Sequence, residues 1–365
     1  MASARRHRER RHARRRRLSL ADALTPLDLR VRERIDAEGP LPYREVVELA
    51  LYDPHDGFYA AHGRAGRRGD FLTSPEVGPL FGHVVANAID DEWRRQGEPE
   101  RFVVIDWGAG PGTLLRAIQA AEPDCAPCLE LVAVERSAEQ RLSHPDGVSS
   151  VGELAAGRYA ADAGCVIANE LLDNLAFDPV RRVEGRLAPQ LVGKGRGGEP
   201  ELRCVDAVGE SVIDEEWFSA GIDQAVDQSA SAEWLRGALG TLARGRVIVL
   251  DYARDHSKDV GIRTYVDHGA GGDPLHALGS KDITVDVDLF QLQARVRSAD
   301  TVQSQASWLK NHGIERLVAE GQRLWEAGAA TGSLEALTGR SRVREAEALI
   351  DQTGLGGFTV AEWVI

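Results

Sequence analysis

Cysteine is scarce in this 365-residue chain, and its four cysteines do not complete a metal-binding pattern. Cys125 and Cys128 have the C-x-x-C spacing of half a zinc or redox site. No second C-x-x-C and no histidine pair accompanies them, and Cys165 and Cys204 stand alone. The sequence therefore predicts no metal site, and it predicts reduced thiols, as expected in a cytoplasmic compartment.

Long apolar runs are also lacking. The sequence has no run of 18 apolar residues, which argues against a membrane-spanning helix. An apolar signal core does not follow the basic N-terminus, which argues against secretion. With 43% hydrophobic and 28% charged residues, the composition is that of a globular protein with one large core or two smaller ones. We therefore expect a cytoplasmic location.

Positive charge is concentrated at one end of an otherwise acidic chain. The net charge is −13, yet residues 5–17 hold nine arginines and one glutamate, so the remainder carries about −21. A block of like charge this dense is not expected to pack, and residues 1–26 are predicted to form a disordered tail. Such a tail binds phosphates in some proteins and is a solvated extension, or translated sequence upstream of the true start, in others. The acidic body argues against nucleic acid as the main partner.

The most informative stretch is a strand, a glycine-rich turn and a helix at residues 102–118. An apolar run reads as a buried parallel strand that ends at Asp106. Gly108, Gly110 and Gly112 follow, and Thr113 opens an apolar helical run. Glycines at such a turn let the backbone approach a ligand closely and leave the helix N–H groups pointing at it.

The spacing of these glycines bears on the ligand. A dinucleotide fingerprint reads G-x-G-x-x-G, whereas this chain has G-x-G-x-G preceded by a carboxylate, Asp106. A carboxylate there repels a pyrophosphate and favours an ammonium or sulfonium group. S-adenosylmethionine carries both cations and no phosphate, so it is the predicted cofactor; a nucleotide and a ligand-free strand–turn–helix stay open as alternatives.

A second carboxylate ends the next predicted strand. Glu135 lies 23 positions after Gly112, close to the spacing at which an acid binds ribose hydroxyls in doubly wound folds. Glu135 is therefore predicted to bind an adenosyl ribose, which both nucleotides and S-adenosylmethionine possess. A solvated acid at a strand end is the alternative interpretation.

Two further segments carry candidate site residues. In residues 66–77, Thr73, Pro75 and Glu76 suit the start of a helix, and together with Asp70 they fit a loop that closes over a ligand. A capped helix start without function is the other reading.

The second segment follows the apolar run at residues 165–168. Asn169, Glu170 and Asp173 come next, where an open α/β sheet binds its ligands. Glu170 and Asp173 are three positions apart, which predicts one shared face if the chain turns helical; helix capping is the alternative role. Farther along, residues 217–242 are predicted to be helical.

Several segments together resemble one family, the S-adenosylmethionine-dependent methyltransferases that include bacterial MidA-like proteins and the mitochondrial complex I assembly protein-arginine methyltransferase. The matching segments cover almost everything beyond residue 27, in the family's order. They are ALYDPHDGFYA (50–60), GDFLTSPEVGPLFG (69–82), DWGAGPGTLLRAI (106–118), IANELLDNLAFD (167–178), VLDYARD (249–255), GSKDITVDVDLFQL (279–292), TVQSQASWLKNHGIERL (301–317) and GLGGFTV (354–360).

The resemblance implies an α/β, doubly wound, seven-stranded class I methyltransferase (Rossmann-like) fold. It implies an N-terminal helical region at 27–95 and a methyltransferase domain at 96–365, with substrate-lobe insertions at about 177–215 and 253–300. The implied activity is methylation of an arginine on a partner protein. A small-molecule methyltransferase and a non-catalytic cofactor-binding assembly factor are the alternatives, and the oligomeric state, a homodimer included, is left open.

Particular residues follow from this implied reaction. Carboxylates that grip a guanidinium orient one nitrogen toward the methyl group, so Glu170, Asp173 and Asp70 are the candidate catalytic residues. The remaining candidates are assigned to cofactor binding: Asp106, Gly108, Gly110, Gly112, Thr113, Glu135, Asn169, Thr73, Pro75 and Glu76. The sequence departs from its relatives at Trp107, in NLAFD (174–178) and across 253–275, and the last two departures leave the substrate open.

Overall fold

The computed structural model describes most of the chain, with gaps. The described residues are 24–61, 73–195, 202–206, 215–218, 222–253, 261–266, 269–329 and 333–365. Most of the predicted tail and the candidate Asp70 lie outside the described residues. Within these ranges, none of the helices combines the length and the apolar character needed to cross a bilayer.

The strands are β1 Leu41–Pro42, β2 Phe102–Trp107, β3 Leu129–Val134, β4 Val148–Val151, β5 Ala163–Asn169, β6 Asp178–Val183, β7 Arg186–Lys194, β8 Leu202–Asp206, β9 Gln224–Asp227, β10 Arg244–Asp251, β11 Ile262–Val266, β12 Gly269–Ala270, β13 Asp282–Val285, β14 Thr301–Ser304 and β15 Thr359–Val364. The helices are α1 Pro26–Glu38, α2 Tyr43–Tyr52, α3 Phe58–Ala61, α4 Ser74–Val77, α5 Pro79–Arg95, α6 Thr113–Ala120, α7 Ala138–Arg141, α8 Ser229–Leu239, α9 Leu289–Arg295, α10 Gln305–Asn311, α11 Ile314–Gly328 and α12 Leu334–Ile350.

A seven-stranded sheet with the order β14-β15-β10-β5-β2-β3-β4 forms the centre of the molecule. Strands β2, β3, β4, β5 and β10 are parallel, and β15 runs antiparallel between β10 and β14. If the seven strands are numbered by their order in the chain, the sheet read from the β4 edge has the order 3-2-1-4-5-7-6. The predicted doubly wound α/β fold with seven strands is therefore confirmed.

Strand β2 is buried on both faces, as its apolar run predicts. Phe102 and Val104 pack into the core on one face with α5 and α6, whereas Val103 and Ile105 pack on the opposite face with α8. The chain leaves β2 toward β3 on one side, while β5 lies on the other side of β2. Such a reversal of strand order opens a crevice above the carboxyl ends of the strands.

A second lobe covers the carboxyl edge of this sheet. It contains a sheet with the order β1-β7-β6-β9, in which β8 also pairs with β7, and a three-stranded sheet with the order β12-β11-β13. Its core joins α1 and α2 to these strands through Leu27, Tyr43, Phe177, Val192 and Ile283. The prediction of a continuous helix over residues 217–242 is wrong, because Gln224–Asp227 pairs with β6 and only Ser229–Leu239 is α-helical in that range.

The contact between β5 and β2 gives a stability prediction. A Cβ atom at Gly164 would overlap the carbonyl oxygen of Val103, in the middle of the parallel sheet, where the backbone has no room to move. Gly164→Ala is therefore expected to lower the free energy of unfolding by about 3 kcal/mol. Urea denaturation of the purified protein measures this change.

Gly237 provides the matched control for that prediction. It lies in α8 with open space around its Cβ position. Gly237→Ala is expected to leave the free energy of unfolding unchanged or to raise it by about 0.5–1 kcal/mol, because alanine is favoured over glycine in a helix. Equal effects of the two substitutions would contradict the assigned overlap at Gly164.

Candidate active site

A cavity of about 470 Å³ opens above the carboxyl ends of β2, β3 and β5. Ten of the residues predicted from the sequence line its wall. They are Thr73, Pro75, Glu76, Asp106, Gly108, Gly110, Thr113, Glu135, Asn169 and Glu170. Gly112 caps the start of α6 just behind this wall, and Asp70 lies outside the described residues.

The glycine turn forms the floor of the cavity. Gly108, Gly110 and Gly112 have φ angles of +80°, +53° and +77°, which are backbone conformations that L side chains rarely adopt. A Cβ at Gly108 would also lie 2.9 Å from the Cδ1 atom of Leu171, across the cavity from β2. The backbone angle favours glycine at all three positions, and at Gly108 a side chain would also displace that of Leu171.

Glu135 fastens the turn to the end of β3. Its carboxylate accepts hydrogen bonds from the backbone N–H of Gly110, at 2.9 Å, and from that of Ser137, at 2.7 Å. Burial raises the pKa of Glu135, while these two donors and the nearby Arg141 and Arg136 act in the opposite direction. The carboxylate is thus held in a fixed position on the cavity wall.

Asp106 lies beside it at the end of β2 and is only 3% exposed. Burial raises the pKa of Asp106 to about 7, with a contribution from the negative charge of Glu135. The buried carboxylate of Asp106 and the half-buried one of Glu135 destabilise each other, so a cationic group on the cavity side relieves this repulsion. The floor therefore favours a ligand with a positive end.

This raised pKa predicts a pH dependence for a cationic ligand. An acid whose pKa in the empty site is about 7 is protonated below neutrality, and a ligand that needs its carboxylate must then displace the proton. We expect the affinity for S-adenosylhomocysteine to fall by up to about tenfold for each pH unit below 7, and to level off just above it. Titration calorimetry between pH 5.5 and 8 measures this dependence.

The Asp106→Asn variant serves as the control for that titration. It removes the ionisable group with little change in shape, so its weakened binding is expected to show a much flatter pH dependence. The remaining slope reports Glu135, whose pKa is also raised by burial. An unchanged slope in Asp106→Asn would assign the effect to another group.

The segment Thr73–Val77 forms one side of the cavity. The hydroxyl of Thr113 donates to Oε1 of Glu76 at 2.6 Å, which ties this segment to the first residue of α6. The backbone N–H of Ser74 donates to Oε1 of Glu170 at 3.2 Å. One short helical turn thus connects the cofactor-side floor to the carboxylate at the end of β5.

Glu170 adopts an unusual backbone conformation for a non-glycine residue, with φ of +51°. Its N–H donates to the carbonyl of Leu250, and the side-chain amide of Asn169 donates to its Oε1 at 3.1 Å. Burial raises the pKa of Glu170 to about 8, with a further contribution from Asp173. The Oδ1 atom of Asn169 is buried on the same wall and has no hydrogen-bond partner among the described residues.

Asp173 does not share the wall with Glu170. A 3-10 turn at Leu172–Asn174 directs Asp173 behind the wall, where its Oδ2 accepts a hydrogen bond from the Thr284 hydroxyl at 2.7 Å. Burial raises the pKa of Asp173 and that of Asp251, which lie close enough to repel each other. The two acids that the sequence placed on one face are thus in separate layers, one lining the cavity and one behind it.

Aromatic residues that the sequence analysis missed complete the wall. Trp107 and Trp234 meet edge to face at 5.7 Å, and Tyr52 and Tyr59 stack at 5.5 Å. The guanidinium of Arg136 lies 4.2 Å from the ring centroid of Tyr52. The two tyrosines flank the turn-rich segment DPHDGF, and this segment is the one sequence signal that would have indicated them. Trp107 and Trp234 come from segments that are far apart in the chain.

The cavity therefore combines a glycine turn, five acids and several aromatic faces. Carboxylates and aromatic faces both attract cations, and an unpartnered amide oxygen accepts a further N–H. Among the described residues, no cluster of histidine, cysteine, aspartate and glutamate could hold a metal ion.

Comparisons with known proteins identify the family and its cofactor. A family model described as "Putative S-adenosyl-L-methionine-dependent methyltransferase" matches residues 84–307. The chain is 26% identical to the mitochondrial protein arginine methyltransferase NDUFAF7 of Rattus norvegicus, over 80% of this chain and 75% of that protein. The Homo sapiens protein of the same name is also 26% identical, over 80% and 74%.

A solved structure shares the fold. A protein from Burkholderia thailandensis, crystallised with S-adenosylhomocysteine, superposes with a TM-score of 0.77 at 24% identity, covering 93% of this chain and 92% of that one. The matched relatives also correct one expectation. The cytoplasmic location predicted from the sequence is contradicted, because these relatives are named as mitochondrial proteins.

Proposed function

From the premise that this chain belongs to that family of S-adenosyl-L-methionine-dependent methyltransferases, we propose that it methylates an arginine side chain of a partner protein. S-adenosylmethionine is the cofactor. The relatives are named protein arginine methyltransferases, which supports the acceptor class. The observation that carries the proposal is the half-buried carboxylate of Glu170 on the cavity wall, because a cationic acceptor that enters the cavity meets a counter-charge there.

The residues of the floor fit the cofactor. Asp106 supplies the negative charge for the amino group of S-adenosylmethionine, and Glu135 supplies acceptors for the ribose hydroxyls. The positive φ angles at Gly108 and Gly110 allow backbone to approach the ligand without a Cβ in between. Thr73, Pro75, Glu76 and Thr113 enclose it from the side of α4 and α6.

Glu170 holds the acceptor. A guanidinium that donates two hydrogen bonds to one carboxylate is fixed in plane, with one nitrogen turned toward the methyl group; its delocalised electron pair becomes available as the nitrogen loses its proton. When bound, the cofactor supplies an electrophilic methyl group on a cationic sulfur. The nitrogen–methyl bond forms as the sulfur–methyl bond breaks, the sulfur keeps the electron pair, and one proton leaves the nitrogen. Glu170 is the proposed acceptor of that proton, because the positive charge of a bound guanidinium lowers the pKa that burial raises to about 8 and so keeps the carboxylate ionised near neutral pH.

Asp173 acts from behind the wall. The hydrogen bond from the Thr284 hydroxyl fixes the position of the Asp173 carboxylate. The negative charge of Asp173 in turn raises the pKa of Glu170. Holding reacting atoms near 3–3.5 Å in line supplies much of the rate enhancement in such displacements. The indoles of Trp107 and Trp234 and the side chain of Leu171 exclude water from this region.

Incubation with methyl-labelled S-adenosylmethionine and a host lysate tests the proposal. We expect label on a protein band and, by mass spectrometry, a mass increase on arginine in that protein. A synthetic peptide around the modified arginine and its lysine-substituted twin then separate the acceptor classes. Label confined to small metabolites indicates a small-molecule methyltransferase, and tight cofactor binding without any labelled product indicates a non-catalytic assembly factor.

A further inference from the structure

Buried polar contacts behind the cavity hold the segment Thr73–Val77 in place. Ser74 is the second residue of this segment, is fully buried, and donates its hydroxyl to Oε1 of Gln305 at 2.9 Å. Its backbone N–H donates to Glu170 on the opposite side. Ser74 therefore connects a buried amide of α10 to the carboxylate that faces the cavity.

Gln305 is itself fixed by the C-terminal part of the chain. It is fully buried at the start of α10, its N–H donates to the carbonyl of Phe358, and its Nε2 donates to the carbonyl of Leu349 at 3.2 Å. A carbonyl only accepts, so Nε2 must face Leu349, and Oε1 must then face the hydroxyl of Ser74. The orientation of the amide is determined by this network.

Water cannot replace these contacts. Ser74 and Gln305 are both 0% exposed, so loss of the amide leaves the Ser74 hydroxyl and the Leu349 carbonyl without partners. A second anchor lies just beyond the segment, in α5, where Oε2 of the buried Glu345 accepts from the N–H of Leu80 at 2.9 Å. Gln305 is thus the buried contact that holds the segment near Glu170.

We infer that Gln305 is a positioning residue for methyl transfer, because it holds Ser74 so that the Ser74 N–H donates to Glu170 Oε1. The inference rests on the proposed role of Glu170 as the acceptor-binding carboxylate. Neither Gln305 nor Ser74 lines the cavity, and both act through Glu170.

The charges around Glu170 give this role a measurable signature. Asp173 faces Glu170 from the neighbouring turn and disfavours its ionised form, while the Ser74 N–H and the Asn169 amide favour it. The charge of Glu170 in turn raises the pKa of Asp251 and of Tyr252, which also face it. Among the described residues, loss of one of these two donors removes part of what stabilises the carboxylate. The pKa of Glu170 should therefore rise when Gln305 no longer holds Ser74.

The test compares Gln305→Met with Gln291→Met. Gln291 is a matched control, since it is another buried amide, 1% exposed, whose hydrogen bonds go to Val226, Gln228 and Asp288 in the second lobe. The pKa of Glu170 is read by ¹³C NMR of labelled glutamate carboxyls, with Glu170→Gln assigning the resonance. Turnover and the affinity for S-adenosylhomocysteine are measured in parallel.

We expect Gln305→Met to raise the pKa of Glu170 by about 0.5–1 unit and to lower kcat about tenfold, with cofactor affinity unchanged. Gln291→Met should move neither quantity. Ser74→Ala removes the hydroxyl that donates to Gln305, so it should shift the pKa of Glu170 in the same direction. This variant tests the inference if Gln305→Met does not fold.

A Glu170 pKa that is the same in Gln305→Met, Ser74→Ala and the wild-type protein would overturn the inference. The NMR titration needs no methyl acceptor, so it gives this answer even if arginine proves to be the wrong substrate. A failure of the proposed function would instead appear as unmodified arginine with the wild-type protein.

Discussion

Asp106→Ala is expected to weaken the binding of S-adenosylhomocysteine by about 100-fold or more. The carboxylate is buried at the floor of the cavity beside Glu135, and we propose that its charge faces the amino group of the ligand. Removing one partner of a buried charge pair leaves the other desolvated without compensation, which is the costly case. Titration calorimetry at pH 8, where Asp106 is ionised, measures the full effect.

Two controls distinguish charge from packing. Asp106→Asn keeps the shape and should lose nearly as much affinity as the alanine variant, whereas Asp223→Ala, at an acid that is 85% exposed, should lose none. Affinity in Asp106→Ala within a factor of three of the wild-type value would refute the assignment of Asp106 to the cationic end of the cofactor.

Glu170→Gln is expected to lower kcat by about 10³-fold and to leave the affinity for S-adenosylhomocysteine within about twofold. The amide keeps an oxygen for the N–H of Ser74, so the local structure is preserved. It removes the negative charge that holds a guanidinium and the group that accepts its proton. Single-turnover kinetics with labelled S-adenosylmethionine separate this loss from any change in product release.

Stability measurements exclude a folding defect in this variant. The pKa of Glu170 is raised on folding, so the folded state binds its proton more tightly, and the wild-type protein loses stability as the pH rises from about 4.5 toward 8. Glu170→Gln lacks this loss and should be at least as stable as the wild-type protein at pH 8. The exposed Glu326→Gln is the matched control and should change neither kcat nor stability. Wild-type turnover in Glu170→Gln would show that Glu170 takes no part in the reaction.

Local patterns in the sequence were sufficient to predict the floor of the site. An apolar run that ends in an acid placed Asp106 and Glu135 at the ends of adjacent parallel strands, and the carboxyl ends of such strands meet at one edge of the sheet. The three glycines between an apolar strand and an apolar helical run likewise located the turn between β2 and α6. These features depend on residues close together in the chain, which is why the sequence reveals them.

The positions of the acids after β5 could not be predicted from their spacing alone. Glu170 and Asp173 would share a face only if the helical turn began at Glu170. Instead Glu170 takes a positive φ, and the 3-10 turn starts two residues later, at Leu172. The strained angle is held by contacts with Leu250 and Ser74, which are remote in sequence, so no local pattern encodes it.

The aromatic wall and the second lobe depend on such remote contacts as well. Tyr52 and Trp234 are 182 positions apart, yet both line the cavity. The strand Gln224–Asp227 exists because it pairs with β6, and that pairing overrides the helical character of the surrounding residues. Tertiary pairing therefore determines what covers the site.

The edge-to-face pair of Trp107 and Trp234 also gives the cavity an intrinsic fluorescence signal. Trp107 and Trp234 are two of only seven tryptophans, and both line the cavity wall. We expect an adenosyl compound entering there to change the polarity around these rings and so to change their emission. The fluorescence of the unlabelled protein can therefore follow ligand arrival on the millisecond timescale of a stopped-flow mixer.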